Sequence, residues 1–174
     1  VGGVQRSFAC KYFKGKVYIG SLCDGSTSNR SNMIAAVYEF NPGSNTFTKV
    51  MDFPLTYPKG PSGVNGEDDD FEASIGWYIW HQDYTYFAIC QPFFMDIEFD
   101  GDGSMVLGFG DRKGFQIGFQ NYGYDGSFAE QGVAGGDILR AVKTASGDFI
   151  LENNATVSGI TGYGPNNNQG PGLG

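Results

Sequence analysis

The chain has 174 residues, with 28 Gly, 15 Phe and 10 Tyr but only 17% charged residues. That length suits one domain with a sizeable core, and so many aromatics exclude a disordered tail. The formal net charge of −8 argues against a nucleic-acid partner, which needs a positive footprint, and no apolar run of about 20 residues predicts membrane insertion.

In chain order, Val1-Gly2-Gly3 reads as the start of a processed product or an excerpt, because neither a Met nor a leader precedes it. Arg6–Phe13 and Lys16–Leu22 flank Lys14-Gly15 and predict a hairpin. Ile34–Phe40 and Thr46–Phe53 flank a loop of turn formers, Asn41-Pro42-Gly43-Ser44-Asn45. The segment from Pro54 to Gly66 is broken by Pro and Gly and reads as irregular. Trp77–Trp80 and Tyr84–Cys90 then predict a further hairpin around His81-Gln82-Asp83, and Met95–Asp100 and Ser104–Phe109 another around Gly-Asp-Gly. From Arg112 to Gly136 the chain is loop-rich, with one strand predicted at Phe115–Phe119. Ile138–Lys143 and Phe149–Asn153 form the last predicted hairpin. Helical periodicity is almost absent, its best candidate being Gly66 to Ile75.

The strands repeat as a set. Lys16-Val17-Tyr18-Ile19-Gly20 corresponds to Ser104-Met105-Val106-Leu107-Gly108 at an offset of 88. The runs starting at Ala36 and Thr46 correspond to those starting at Asp137 and Asp148, at offsets of 101 and 102. Order is kept while spacing stretches, which places an insertion in one connection of the second copy. Sets of four antiparallel strands, each about 40–45 residues long, are the blades of a β-propeller. The fold expected is therefore all-β, antiparallel blades of a β-propeller or propeller fragment, with a β-sandwich as the alternative. Residues 1–160 would hold three to four blades, and the Gly/Asn/Pro-rich residues 161–174 would be a linker or tail.

A resemblance rests on Val37-Tyr38-Glu39-Phe40-Asn41-Pro42 with Thr46-Phe47, on Asp96 to Met105, and on the tail from Glu152 to Gly172. These patterns are similar to propeller-type repeats of large secreted bacterial surface proteins, which also carry Cna-B or SdrD-like domains. The resemblance implies an extracellular, cell-surface location and bears on no catalytic residue.

Candidate chemistry is sparse. The turn Asp100-Gly101-Asp102-Gly103 offers oxygen donors for Ca²⁺, as do Asp68 and Asp70 in the run Glu67-Asp68-Asp69-Asp70. The plainer readings are a hairpin turn and a solvated loop. Trp77, Trp80 and Tyr84, with His81 and Asp83 for hydroxyls, form a platform on which a sugar ring would stack; the plainer reading is core packing. One histidine and no Gly-x-Ser-x-Gly elbow leave no nameable catalytic triad. Cys10, Cys23 and Cys90 allow one disulfide, for which Cys10–Cys23 is a candidate beside three free thiols. Asn29-Arg30-Ser31 and Asn154-Ala155-Thr156 fit the glycosylation sequon.

The function expected is a structural or adhesive, non-enzymatic module of a bacterial cell-surface protein. Its partners would be a surface protein or glycan, or further copies paired through unclosed blade edges. A carbohydrate-binding module using the Trp77–Tyr86 hairpin and a divalent-cation-dependent propeller hydrolase are the alternatives.

Overall fold

The computed structural model describes residues 2–57, 76–80, 90–122, 129–131 and 135–161. These form an all-β molecule of antiparallel sheets. Strands β1 (Gln5–Phe13), β2 (Lys16–Cys23), β3 (Ile34–Asn41) and β4 (Thr46–Pro54) make one four-stranded sheet in the order β1-β2-β3-β4. The second sheet contains β5 (Pro92–Phe99), β6 (Met105–Asp111), β9 (Asp137–Lys143) and β10 (Phe149–Leu151) in the order β10-β9-β6-β5. Between β6 and β9 lie helix α1 (Arg112–Ile117) and the ladder of β7 (Phe119–Tyr122) with β8 (Ala129–Gln131). A short ladder of β11 (Thr156–Val157) and β12 (Ile160–Thr161) follows the second sheet.

The sequence repeat is therefore a repeat of sheets. Each sheet is a four-strand meander, and the insertion in the second copy falls between its second and third strands. Even the irregularities recur. The β1–β2 ladder shifts register between Ser7 and Ala9, and the β5–β6 ladder shifts between Phe94 and Asp96. Such bulges bend and twist a strand locally. At the β1–β2 turn, Lys14 and Gly15 both take positive φ, 47° and 83°. That is the conformation a two-residue hairpin loop needs to match the twist of its strands.

Period-two alternation sends one face of each sheet inward. Tyr18, Leu22, Val37 and Phe53 from the first sheet meet Phe94, Leu107, Phe109 and Leu139 from the second in one core. Phe53 and Phe109 lie 6.1 Å apart edge to face, and Phe94 stacks on Phe109 at 4.4 Å. Gly20 permits this approach, because a Cβ there would stand 2.8 Å from the Phe94 ring. Burial of each large apolar side chain contributes about 1.5–3 kcal/mol. The strands β1 and β5 are also joined by Phe13 stacked on Phe99 at 4.1 Å and by the Lys11–Glu98 ion pair.

Among the described residues there is no closed ring of blades, and the propeller expectation gives way to two sandwich-like sheets. Strand number and turn spacing are common to both architectures, so the pattern along the chain does not separate them. The predicted strand Phe115–Phe119 is corrected as well. Asp111 caps α1 by accepting the Lys113 N–H at 3.0 Å, and Gly118, at φ 64°, ends the helix before β7 begins at Phe119. Gly76–Trp80 forms no strand. It threads between the sheets' connections instead, with Tyr78 N–H donating to the Cys90 carbonyl and Trp80 N–H to the Asp24 carbonyl. Residues 81–89 of that predicted hairpin and the Gly66–Ile75 helix candidate lie outside the described residues, as do residues 162–174 of the predicted tail.

In the first sheet β4 has a ladder partner on one side only among the described residues. The β3–β4 ladder breaks register between Val37 and Tyr38, which leaves Val50 as an extra residue on β4, and the strand ends at Pro54.

Candidate binding face

The outer face of the first sheet carries a trough. Alternation that points Tyr18 and Leu22 into the core sets Ile19, Ser21 and Cys23 on the other face, with Ile34, Ala36 and Tyr38 of β3 beside them; Ser21, Cys23 and Ala36 are nevertheless buried at its floor. Cross-strand register brings Ser7 opposite Ser21, Ser21 opposite Ala36, and Ala36 opposite Asp52. A row of small side chains thus crosses the sheet between larger ones, leaving a cleft of about 380 Å³. Gln5, Ser21, Ala36, Tyr38, Lys49 and Asp52 are among its lining residues. A second concavity of about 360 Å³ shares Gln5 and Tyr38 with it and reaches Ile19 and Phe47.

The floor is held rigidly. Ser7 Oγ donates to Ser21 Oγ at 2.9 Å, and Ser21 Oγ donates to the Arg6 carbonyl at 3.2 Å. Phe47 is 64% exposed and packs its ring on Phe40 at 4.6 Å. The charges in the cleft, Lys49 and Asp52, pair with each other at 3.0 Å. The trough therefore offers an apolar seat with hydroxyl and amide hydrogen-bonding groups, and its one carboxylate is occupied by a lysine. It suits a side chain or ring of a partner better than acid–base chemistry, which needs a titratable group poised at a reacting atom. None of these residues was a candidate binding residue in the sequence. The signal that would have found them is small residues at outward positions of adjacent strands.

The residues singled out from sequence sit elsewhere. Trp77 is fully buried and its Nε1–H donates to Tyr57 Oη at 3.0 Å. Trp80 is buried too, with Nε1–H donating to the Pro92 carbonyl at 2.7 Å. Phe8 stacks on the Trp80 ring at 6.1 Å, and the guanidinium groups of Arg6 and Arg112 lie 5.1 and 4.6 Å from its centroid. Both indoles are core elements, so neither presents a face on which a sugar would stack. His81, Asp83 and Tyr84 lie outside the described residues, as do Asp68 and Asp70.

Asp100 pairs with Arg140. Asp102 Oδ1 accepts the Ser104 N–H at 2.8 Å, the arrangement of a self-bonded turn. Among the described residues no group of three or more metal-binding side chains occurs. None of Cys10, Cys23 and Cys90 is in a disulfide, and the Cys90 thiol hydrogen-bonds the Asp111 carboxylate. Cys10 pairs with Ile19 in the ladder while Cys23 pairs with Gln5. At about 3.3 Å per residue that separation is far beyond disulfide reach.

Buried carboxylates do structural work that the sequence did not reveal. Asp24 Oδ1 accepts the N–H groups of Val4 and Ser26 at 2.8 and 3.0 Å, and Oδ2 pairs with Arg6 Nε at 2.9 Å. Burial alone would raise its pKa, but the bonds from Ser26, Val4 and Arg6 hold it below the usual carboxylate range. Asp111 Oδ1 accepts the N–H groups of Gln91 and Lys113 at 2.9 and 3.0 Å. There burial prevails over the bonds, and the pKa is raised. Glu152 ties the second sheet to the β11–β12 ladder, accepting the Arg140 N–H and the Ala155 N–H, both at 2.7 Å.

No family model and no solved structure matches the chain. It is similar to colossin-A of Dictyostelium discoideum, at 32% identity over 173 residues. That match covers 96% of this chain and 1% of the relative. It is also similar to colossin-B of the same organism, at 28% identity over 183 residues, covering 97% of this chain and 4% of the relative. Colossin-C, at 24% identity, is covered over 90% of this chain and 14% of its own length. The chain thus spans a small fraction of each curated relative it matches. These relatives are eukaryotic, and they overturn the resemblance to bacterial surface propeller repeats.

Proposed function

We propose that the chain is a non-catalytic β-sandwich module of a much larger extracellular or cell-surface polypeptide, with a structural or adhesive role. One observation carries this reading. Nearly the whole chain aligns with segments that make up only 1–14% of three relatives. A stretch matched almost end to end within a far longer protein is the footprint of a module with its own core.

The chemistry of the described residues supports the same reading. Asp24, Asp111 and Glu152 bind backbone N–H groups, while Glu39, Glu98 and Asp100 each face a Lys or Arg. These acids hold the fold together. With Trp77 and Trp80 in the core, an adhesive contact would fall on the outer face of the first sheet rather than on the aromatic segment.

The test is to label intact cells of the source organism with a membrane-impermeant biotin reagent and recover the protein with an antibody to this chain. A biotinylated polypeptide many times the 18.8 kDa of the segment is the expected product. Recovery only from the unlabelled interior, or as a free small protein, would overturn the reading.

A further inference from the structure

We infer that Asn29, and not Asn154, is the acceptor of an N-linked oligosaccharide in this module. The inference rests on the surface reading above, since such glycans are added along the secretory route and end on exposed loops. Both triplets fit the sequon equally; the fold separates them.

Asn29 lies in the β2–β3 connection, at the start of a single 3-10 turn, Arg30–Asn32. It is exposed and extended, with φ −143° and ψ 171°. Ser31, also exposed, donates its hydroxyl to Asn29 Oδ1 at 2.5 Å. The carboxamide is thereby held through its oxygen, and Nδ2, the atom to be modified, takes no part in that bond. The middle residue points the other way. Arg30 Nε donates to the Trp77 carbonyl at 2.8 Å and its Nη2 to the Thr56 carbonyl at 3.1 Å. The loop is thus anchored inward by Arg30 and shows Asn29 and Ser31 outward, an arrangement that accommodates a bulky polar group without disturbing the core.

Asn154 is built in the opposite sense. It sits in a turn with φ 47°, followed by buried Ala155 at φ 60°. Its carboxamide oxygen is buried. The turn is tied on both sides, with Ala155 N–H on Glu152 Oε2 at 2.7 Å and Asn153 and Thr156 exchanging backbone bonds. The Thr156 hydroxyl turns to the Asn154 main-chain carbonyl at 3.4 Å, not to the side chain. An oligosaccharide on this side chain would have to displace the packed turn.

The step is a group transfer. Asn29 Nδ2 attacks the anomeric carbon of an oligosaccharide carried on a polyprenyl diphosphate. The new C–N glycosidic bond forms, the C–O bond to the diphosphate breaks, the polyprenyl diphosphate leaves, and the amide proton passes to a base of the host transferase.

The experiment secretes the full chain behind a leader from a eukaryotic host and maps glycopeptides before and after treatment with peptide N-glycanase. One glycan is expected, on the peptide containing Asn29, which the enzyme converts to Asp. N29Q and, independently, S31A should give secreted protein lacking that mass, S31T should retain it, and N154Q should leave it unchanged. A secreted, folded chain carrying no glycan at Asn29, or one at Asn154, overturns the inference. The same map on protein from its natural source separates the two readings. A bare Asn29 there, with a glycan in the secreted material, would sink the surface location and leave the acceptor assignment standing.

Discussion

Asp24 and Asp111 are one clamp built twice. Val4, Asp24 and Ser26 map onto Gln91, Asp111 and Lys113 by a single shift of 87 positions, and in each set the carboxylate accepts the two flanking N–H groups at 2.8–3.0 Å. Each clamp closes the open end of a sheet's first hairpin, where the ladder would otherwise fray. The copies differ in their surroundings, because Asp24 also faces Arg6 whereas burial dominates at Asp111.

Removing Asp111 leaves buried N–H groups without an acceptor, and removing Asp24 strips the part-buried Val4 and Ser26 N–H groups and the Arg6 guanidinium of theirs, so Asp24→Ala and Asp111→Ala should each cost about 2–3 kcal/mol in urea unfolding. The asparagine variants should diverge. Asp111→Asn keeps an oxygen for both N–H groups and relieves a buried charge, which offsets the weakened bonds from the Cys90 thiol and the Gly114 N–H, so its cost should be the smaller. Asp24→Asn also loses the Arg6 pair and should cost more. Equal effects of the two asparagine variants would refute the asymmetry.

The two carboxylates also have opposite signs in acid. The folded-state pKa of Asp24 is lowered, so its contribution is present above the ordinary aspartate value and is lost as pH falls through the folded one. That of Asp111 is raised, so the folded state takes up a proton before the unfolded state does, and acidification through that window stabilises. Stability measured against pH should therefore drop more steeply towards acid in Asp111→Asn than in the parent chain, and less steeply in Asp24→Asn.

In alkali the group to watch is Tyr18. Its hydroxyl donates to Glu39 Oε2 at 2.9 Å inside the core edge. Burial first, and then the bond to and charge of Glu39, push its pKa up to about 12. The folded state holds this proton after the unfolded chain has lost it. The contribution is thus complete below the ordinary tyrosine value and disappears as pH rises through the folded one. Tyr18→Phe should flatten the alkaline fall in stability, read by denaturant midpoints across the pH range.

Burial of both indoles has an optical consequence. Fluorescence excited through tryptophan should be blue-shifted and protected from iodide until the chain unfolds. Trp77→Ala should destabilise by about 3–5 kcal/mol. Iodide quenching in the folded protein as strong as in urea would contradict the core assignment.

Thiol chemistry should sort the cysteines in the same way. Cys10 is exposed, whereas Cys23 and Cys90 are buried. One alkylation, at Cys10, is expected under native conditions and three after unfolding. A Cys10–Cys23 disulfide in the folded protein would contradict the β1–β2 register.

The strands were legible because turn chemistry brackets them. Lys14-Gly15, Asn41 to Asn45 and Asp100 to Gly103 each mark a hairpin whose strands lie where alternation put them. Less legible was what two residues do across a gap. Tyr18 facing Phe99 across a core and Tyr18 facing a neighbouring blade leave the same period-two trace. Helix α1 has six residues, too few for a 3.6-residue period to emerge, and its cap, Asp111, is a single residue. In Trp77–Trp80 alternating aromatics imitate a strand, but the segment spends its N–H groups on Cys90 and Asp24 instead of on a ladder. The trough and the clamps depend on register, which no single strand carries.

The side of β4 that has no ladder partner among the described residues joins an extra residue at Val50, a charged Lys49 and a terminal Pro54, features that spoil a template for strand addition. Two copies of a β-sheet unit brought close together can exchange strands through such a side where it is straight and uncharged. A crooked, charged and proline-stopped margin gives a second copy's edge little purchase, so crowded copies of this unit should each keep their own strands.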